Sequence, residues 1–555
     1  MTEKTKNTNV KIEDIASIKK DEMRTKILII IGAIAIVFAF AIWYQINEKQ
    51  ALAEQDYIGG NFIRLSNNNG TSDGDINVVN PWRNASVVDL TMYRALFSAN
   101  SSFTEINPDL AEKYELLDDD VTYIITMFDN QFWSDGEPIT VDDVIFSFYA
   151  FLKCENVNTS LSTTFSRVIG AKEYSSGETD IIEGISVNGN QITIKLEAPY
   201  SNFALMLTQF VPLPKHILEN TDYATLTTNH EFFTNTNTVC SGQFYPEYID
   251  ADNNLVLSRN PYYADDVTDI DKILICWDYE NLEIDYYPTS NPTEIVSNRS
   301  MKGFIEYPVE VYYYRYFIFN LAGGDTGEPN TAMHDERVRQ AIYHAIDTEL
   351  LMKDIYFNKT TPVYGGSLEF SKPIYDYNPE KAKELLESAG YDFDRVFTIA
   401  YYSGDTSTYA MLEKIVEQLE SVGVTAELIK ASASELYTEP TYDLLLKNLS
   451  ALNTEDWYNE YLSTNANLTQ LMGRAGEFDD LMYKLTSTTD SNEYEKLMQE
   501  LVNLEQELLY KLPLFLLNDA VFINSNRLSV PDDIVFGNTR YRSDIRLDEW
   551  YVMKS

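Results

Sequence analysis

The stretch from Ile27 to Asn47 restricts this chain more than any other, because its twenty-one residues contain no Asp, Glu, Lys, Arg or His. A helix rising ~1.5 Å per residue carries that many residues across ~30 Å, the thickness of a bilayer's hydrocarbon core. In lipid, a lone segment satisfies all its backbone polar groups only as a helix. Trp43 and Tyr44 stand at its far end, where amphipathic rings settle among headgroups, and Arg24 and Lys26 abut its near end. Residues 1–26 hold seven Lys or Arg, which places them in the cytoplasm and everything from Glu48 onward outside the cell. A soluble core helix with no polar face along such a length is unusual. A cleaved secretory signal is the sharper rival, since Ala51-Leu52-Ala53 is an Ala-x-Ala site just past the run. Such signals use only ~7 to 15 apolar residues, which favours a single-pass anchor over cleavage after Ala53. No Cys precedes Cys154, so a lipid-modified cysteine is not the tether.

The exported part is roughly twice as long as a single core supports, and two or more lobes are expected. The chain carries 42 Lys and Arg against 86 Asp and Glu, a formal charge of −44. Setting aside the seven bases and five acids of residues 1–26 leaves −46 on the remainder. That surface repels anionic lipid and has no basic stripe to replace phosphate counterions, which excludes nucleic acid as a partner. Cysteine occurs only at 154, 240 and 276, so there is no disulfide framework and at most one bridge. His216, His230, His334 and His344 form no metal-ligand spacing, and no metal or other cofactor is expected.

Along the chain, Phe62 to Leu65 is strand-like, Val88, Met92, Ala95 and Leu96 predict one helical face over 87–97, and Tyr123 to Phe128 predicts a strand. Asp135-Gly136 supplies a turn, and Thr140 with Asp143 opens an amphipathic helix through Val144, Phe148 and Phe151. Asn188-Gly189 predicts a hairpin, and a second strand pair brackets Asp252 to Asn254. Beyond residue 330 the pattern turns to α/β. Asp335 caps a helix carrying Val338, Ala341, Ile342 and Ala345, and Asn378-Pro379 starts another that ends at Gly390. Val396 to Tyr402, the helix through Leu412 to Leu419 and Val424 to Leu428 read as a β-α-β crossover with parallel pairing. No low-complexity linker is present, so short strands must join the lobes.

These residues resemble a known family, the extracellular solute-binding proteins of peptide-type ABC importers. The run Phe132-Trp133-Ser134-Asp135-Gly136-Glu137-Pro138-Ile139-Thr140-Val141-Asp142-Asp143-Val144 is similar to that family's aromatic-Ser-Asp-Gly signature. So are Cys240-Ser241-Gly242-Gln243-Phe244, Arg259-Asn260-Pro261-Tyr262-Tyr263, Val338-Arg339-Gln340-Ala341 and Leu512-Pro513-Leu514-Phe515, in family order. The resemblance implies an α/β fold of two periplasmic-binding-protein-like lobes with an extra inserted lobe. It places lobe I at 57–97, 186–310 and 513–555, the inserted lobe II at 98–185 and lobe III at 311–512.

It also implies a cleft in which an extended peptide pairs with backbone and an Asp holds its α-amino group. On the strand from Tyr442 to Leu452, the family's Trp position falls on Leu449 and its Asp position on Leu452, so this chain departs where the ligand would be read. Asn448 and Ser450 on that strand are candidate ligand contacts. Glu455 or Asp456 are candidates for the displaced carboxylate, with Trp457 stacking. On the facing lobe the candidates are Trp82, Arg83 and Asn84, with Arg83 suited to a ligand carboxylate. The implied mechanism is capture by lobe closure, followed by docking on ABC permease subunits, by a monomer taking a peptide or other small solute.

A hydrolase is disfavoured, because adjacent acids such as Asp118 to Asp120 or Asp142-Asp143 do not face each other across a substrate and no Gly-x-Ser-x-Gly elbow is present. A ligand sensor or chaperone built on the same binding fold is the alternative function.

Overall fold

Short-range signals set the element ends. The Asp143 carboxylate accepts the Thr140 N–H (2.8 Å), closing the start of the Val141–Lys153 helix. Asn378 accepts the Lys381 N–H (3.0 Å) ahead of Pro379–Ala389, and that helix ends on Gly390 at φ +69°, a conformation glycine adopts without a Cβ penalty. Asp335 caps Glu336–Ala345 through the Arg337 N–H (2.9 Å). A computed structural model of the protein describes residues 60–555 apart from 67–79, 83–86, 156, 229–231, 234–235, 237, 251–253, 264–267, 277–283, 310–311, 322–330, 403–404, 433–434, 439, 473–475, 489, 538–540 and 554–555. The Ile27–Asn47 segment lies outside the described residues, among which no helix is long and apolar enough to cross a membrane.

Three sheets organise the described chain. The largest has seven strands in the order Phe304–Pro308, Ala520–Asn524, Tyr286–Thr289, Phe62–Ser66, Lys272–Cys276, Leu255–Arg259 and Phe244–Ile249. A six-stranded sheet runs Thr360–Pro362, Lys511–Leu517, Tyr312–Phe319, Leu444–Ala451, Phe397–Tyr401, Ala426–Lys430. The third, of four strands, comprises Ala111–Leu116, Thr122–Met127, Gln191–Lys195 and Ile185–Asn188, the last two forming the Asn-Gly hairpin. In the six-stranded sheet, Phe397–Tyr401 and Ala426–Lys430 pair in parallel across the Thr406–Ser421 helix, as the crossover pattern requires, whereas Tyr312–Phe319 is antiparallel to both its neighbours.

Two hydrophobic cores follow from these sheets. One gathers Trp82, Phe148, Phe165, Phe210, Leu257 and Trp550, and the other Phe317, Ile342, Leu412, Trp457, Leu501 and Phe515. The chain passes between the seven- and six-stranded sheets twice, from Phe304–Pro308 to Tyr312–Phe319 and from Lys511–Leu517 to Ala520–Asn524. Short strands are therefore the connection, as the missing linker composition demands.

One helix is shorter than its periodicity predicts. The 87–97 segment is helical only over Val87–Met92, and Phe97–Ala99 is a strand. Tertiary partners claim the backbone beyond Met92: the Arg94 N–H donates to Ser241 Oγ (2.9 Å) and the Leu96 N–H to the Phe210 carbonyl (3.3 Å). No disulfide joins the three cysteines.

Candidate functional site

The Leu444–Ala451 strand is covered unequally on its two edges. Toward Tyr312–Phe319 it pairs along its whole length, from Phe319 opposite Leu444 to Tyr312 opposite Ala451. Toward Phe397–Tyr401 it pairs only at Leu444 and Leu445. Among the described residues no strand covers this second edge from Lys447 onward, and burial follows suit: Leu444 to Leu446 are buried, Lys447 to Ser450 half-buried. Unpaired strand backbone is a template for another extended chain. The uncovered half-edge lies just past the C-terminal end of Phe397–Tyr401 and beside the start of Thr406–Ser421, and ligands of open α/β sheets sit outside the carboxyl ends of parallel strands.

Residues of the other core reach this region directly. Tyr541 donates its hydroxyl to the Ser450 carbonyl (3.0 Å) and packs edge-on to Phe103. Leu452, one residue past a strand of the second core, is 2% exposed and packs in the first. The Ser201 N–H donates to the Thr486 carbonyl (3.1 Å), Asn202 Nδ2 to Glu455 Oε2 (2.6 Å), and Ser160 Oγ to Asp456 Oδ1 (3.2 Å). Glu455 and Asp456 open the short Thr454–Asn459 helix. Burial, with the Asp456 charge beside it, pushes the Glu455 carboxyl up to about 7, while Arg167 and the Asn202 amide pull the other way. Burial also raises Asp456, opposed by the Leu452 N–H at 2.8 Å and by Ser160.

A cavity of about 490 Å³ spans both sheets where the chain crosses between them, with Ile295, Glu306 and Ala520 on one side and Tyr312, Lys359 and Leu516 on the other. Its size falls in the range of small-ligand pockets. A second cavity of about 510 Å³, around Tyr93, Asp109 and Tyr263, draws no residue from the six-stranded sheet and so does not report on the relation of the two cores.

The sequence-based candidates separate into three groups. Asn448 and Ser450 lie on the uncovered half-edge, Asn448 accepting from Arg315 Nε at 2.9 Å. Glu455 and Asp456 lie at the seam, but each is buried and bonded to protein partners. Arg83 and Asn84 fall outside the described residues. Two tryptophans correct the expectation of ligand contact. Trp82 is fully buried, its indole N–H donating to the Val211 carbonyl (2.8 Å) and its ring edge-on to Phe151.

Trp457 is also fully buried, and protein side chains already occupy its surroundings. Tyr314 and Tyr316 lie at 4.8 and 4.6 Å, Lys511 Nζ sits 4.0 Å from the ring, and Nε1 donates to Glu505 (2.6 Å). A Cβ on Gly366 would come within 2.1 Å of its Cδ1, so glycine is needed there for close approach. Trp457 is thus a packing residue of the second core in this structure, on a short helix buried from Glu455 through Tyr458.

Sequence reasoning passed over Arg315, Tyr541, Asn202 and Ser160. A signal existed for Arg315 alone, as the one charge in Tyr312-Tyr313-Tyr314-Arg315-Tyr316-Phe317-Ile318-Phe319.

Comparison with known proteins follows the same outline. Brucella ovis has a protein named as an ABC transporter peptide-binding protein that is 25% identical over 354 residues, 60% of this chain, and the chain spans 62% of that relative's length. The Listeria monocytogenes ABC transporter substrate-binding protein CtaP superposes with a TM-score of 0.71 at 21% identity, over 89% of this chain and 100% of its own. The Bacillus subtilis oligopeptide-binding protein AppA, in complex with a nonapeptide, does so at 0.69 and 19% identity, over 89% and 99%. These superpositions give this chain an α/β fold of two periplasmic-binding-protein-like lobes. The family model described as bacterial extracellular solute-binding proteins, family 5 Middle, matches residues 105–470, well over half of the chain, and the protein therefore belongs to the family 5 extracellular solute-binding proteins.

Proposed function

We propose that this chain is the solute-capturing component of an ABC importer, held at the outer face of the cell membrane by Ile27–Asn47, and that its solute is a peptide. The observation that carries this reading is the uncovered half of the Leu444–Ala451 strand opposite residues of the other core. An extended ligand adds a strand there through main-chain hydrogen bonds, which tolerates varied side chains. Asn448 and Ser450 are its contacts on this edge, and Arg83 and Asn84 are the contacts we assign to it on lobe I. Lobe I comprises 57–97, 186–310 and 513–555, the inserted lobe II 98–185 and lobe III 311–512. The two passages between sheets act as the hinge on which closure turns, and the closed monomer docks on the permease.

Binding without covalent chemistry suits the site: its carboxylates are engaged by Asn202, Ser160 and backbone and activate no nucleophile. The names of the Brucella, Listeria and Bacillus proteins support the transport role. To test it, the full chain in detergent is incubated with a mixed library of tri- to nonapeptides and examined by native mass spectrometry and small-angle scattering. Retained peptide with a smaller radius of gyration is the expected result. No retained mass and an unchanged profile across the library overturn the reading.

A further inference from the structure

In a chain with about twice as many acids as bases, cations drawn away from water have acids to choose from: the buried Arg542, Arg94 and Lys511 pair with Asp89, Asp109 and Glu460, and the half-buried Arg395, Arg527 and Lys447 with Asp443, Asp285 and Glu460, whereas the buried Arg339 gives Nη1 and Nη2 to the Met333, His334 and Leu508 carbonyls. Arg315 takes neither course. It is 7% exposed, and among the described residues no carboxylate lies within ion-pair distance of it. Its guanidinium is nevertheless fixed by neutral groups. Nε donates to Asn448 Oδ1 (2.9 Å), Nη1 donates to Thr408 Oγ1 (3.0 Å) and to the Tyr356 hydroxyl, and the group lies over the Tyr356 ring. Nη2 makes no hydrogen bond among the described residues and is not sealed from solvent.

The cost of holding a charge away from water is repaid when an opposite charge arrives. Arg315 stands across the strand pair from Asn448, on the second residue pair of the uncovered half-edge, and its hydroxyl partner Thr408 is in the first turn of the sixteen-residue Thr406–Ser421 helix, whose N-terminal end favours anions. The nearest acid on that helix, Asp405, is exposed and turns its carboxylate to the Thr408 N–H (2.7 Å). The donors here thus outnumber the acceptors around an already oriented guanidinium, which suits a planar carboxylate.

We propose that Arg315 is the receptor for a carboxylate of the bound solute, so that this protein selects peptides bearing a free acid group at the position reaching past Asn448. The inference rests on the peptide-capture reading above and narrows its substrate class.

Three peptide libraries test it on the full chain in detergent, read by native mass spectrometry: free C-terminal acids without Asp or Glu, C-terminal amides without Asp or Glu, and C-terminal amides containing Asp or Glu. The wild type retains one or both acid-bearing libraries about tenfold or more over the neutral amides, in line with a charge-assisted, doubly bonded contact. Preference for the first library assigns the carboxylate to the C-terminus, and for the third to a side chain. Arg315→Gln abolishes the preference while neutral amides bind as before, and Arg315→Lys restores part of it by charge without the fork. Equal retention of all three libraries by the wild type overturns the proposal and leaves peptide capture standing. Retention of none overturns both. If Arg315→Gln fails to fold, as judged by its melting curve, the library comparison on the wild type and on Arg315→Lys still decides.

Discussion

Glu455 gives the structure its most quantitative prediction. Its carboxyl is buried at the seam between the two cores, next to Asp456 on its own helix, with Arg167, Tyr200 and Asn202 facing it across the seam and Tyr494 from the Ser491–Leu508 helix. The set holds two acids and one cation, and Arg167 is shared with the Tyr200 ring at 4.2 Å. Moving the Glu455 proton affinity from its ordinary 4.5 to about 7 amounts, at ~1.4 kcal/mol per tenfold, to about 3 kcal/mol. The sign is fixed by linkage. Below pH 4.5 the group is protonated both in the closed native seam and in water, and it costs nothing. As pH rises, the water-exposed form ionises first and the native preference is lost, completely so above about 7.

Glu455→Gln keeps an acceptor for Asn202 and removes the titration. Thermal unfolding of both proteins from pH 4 to 9 should therefore show their melting temperatures converging at the acid end and the variant gaining toward pH 8. The gain is bounded by about 3 kcal/mol, a few degrees in a chain of this size. Parallel curves for wild type and variant across this range would refute the argument, because they would mean that Glu455 is solvated or already ionised in the native state.

Other perturbations follow from the same contacts. Trp457→Ala empties the centre of the second core and strips Glu505 of a donor, so it should cost about 3–5 kcal/mol in a denaturant titration. Tyr541→Phe removes the hydroxyl bond to Ser450, worth about 1 kcal/mol, and should raise the open-to-closed ratio of the unliganded protein roughly fivefold in a two-label fluorescence distance measurement. Leu452→Ala withdraws the one side chain that the strand's end inserts into the opposite core, and scattering of the unliganded protein should show a larger radius of gyration.

Much of the scaffold is legible without coordinates because its signals are local. Thr140 with Asp143, Asn378-Pro379 with Gly390, and Asp335 each mark a helix end within four residues, and the crossover through Leu412 to Leu419 repeats at helical spacing. The 87–97 helix misleads because Ser241 and Phe210, far along the chain, take the amides that a longer helix would need. Trp457 misleads for a different reason: an aromatic after a strand has the same one-dimensional signature whether it lines a cleft or fills a core. The decisive features at the site are relational. That the Leu444–Ala451 strand outruns its neighbour depends on a register of two residue pairs, and that Arg315 lacks an acid depends on three distant segments, at Asn448, Tyr356 and Thr408, that bring it neutral groups instead.

The strand order has a consequence for how such a chain is assembled. The six-stranded sheet is drawn entirely from one continuous stretch, 312–517, whereas the seven-stranded sheet stays incomplete until Ala520–Asn524 wedges between Phe304–Pro308 and Tyr286–Thr289. The two sheets are nevertheless finished almost together, because Lys511–Leu517 enters between Thr360–Pro362 and Tyr312–Phe319 just before the chain reaches Ala520. A polypeptide made from its N-terminal end thus holds both sheets open for nearly all of its length, and one late stretch, 511–524, closes the two in turn.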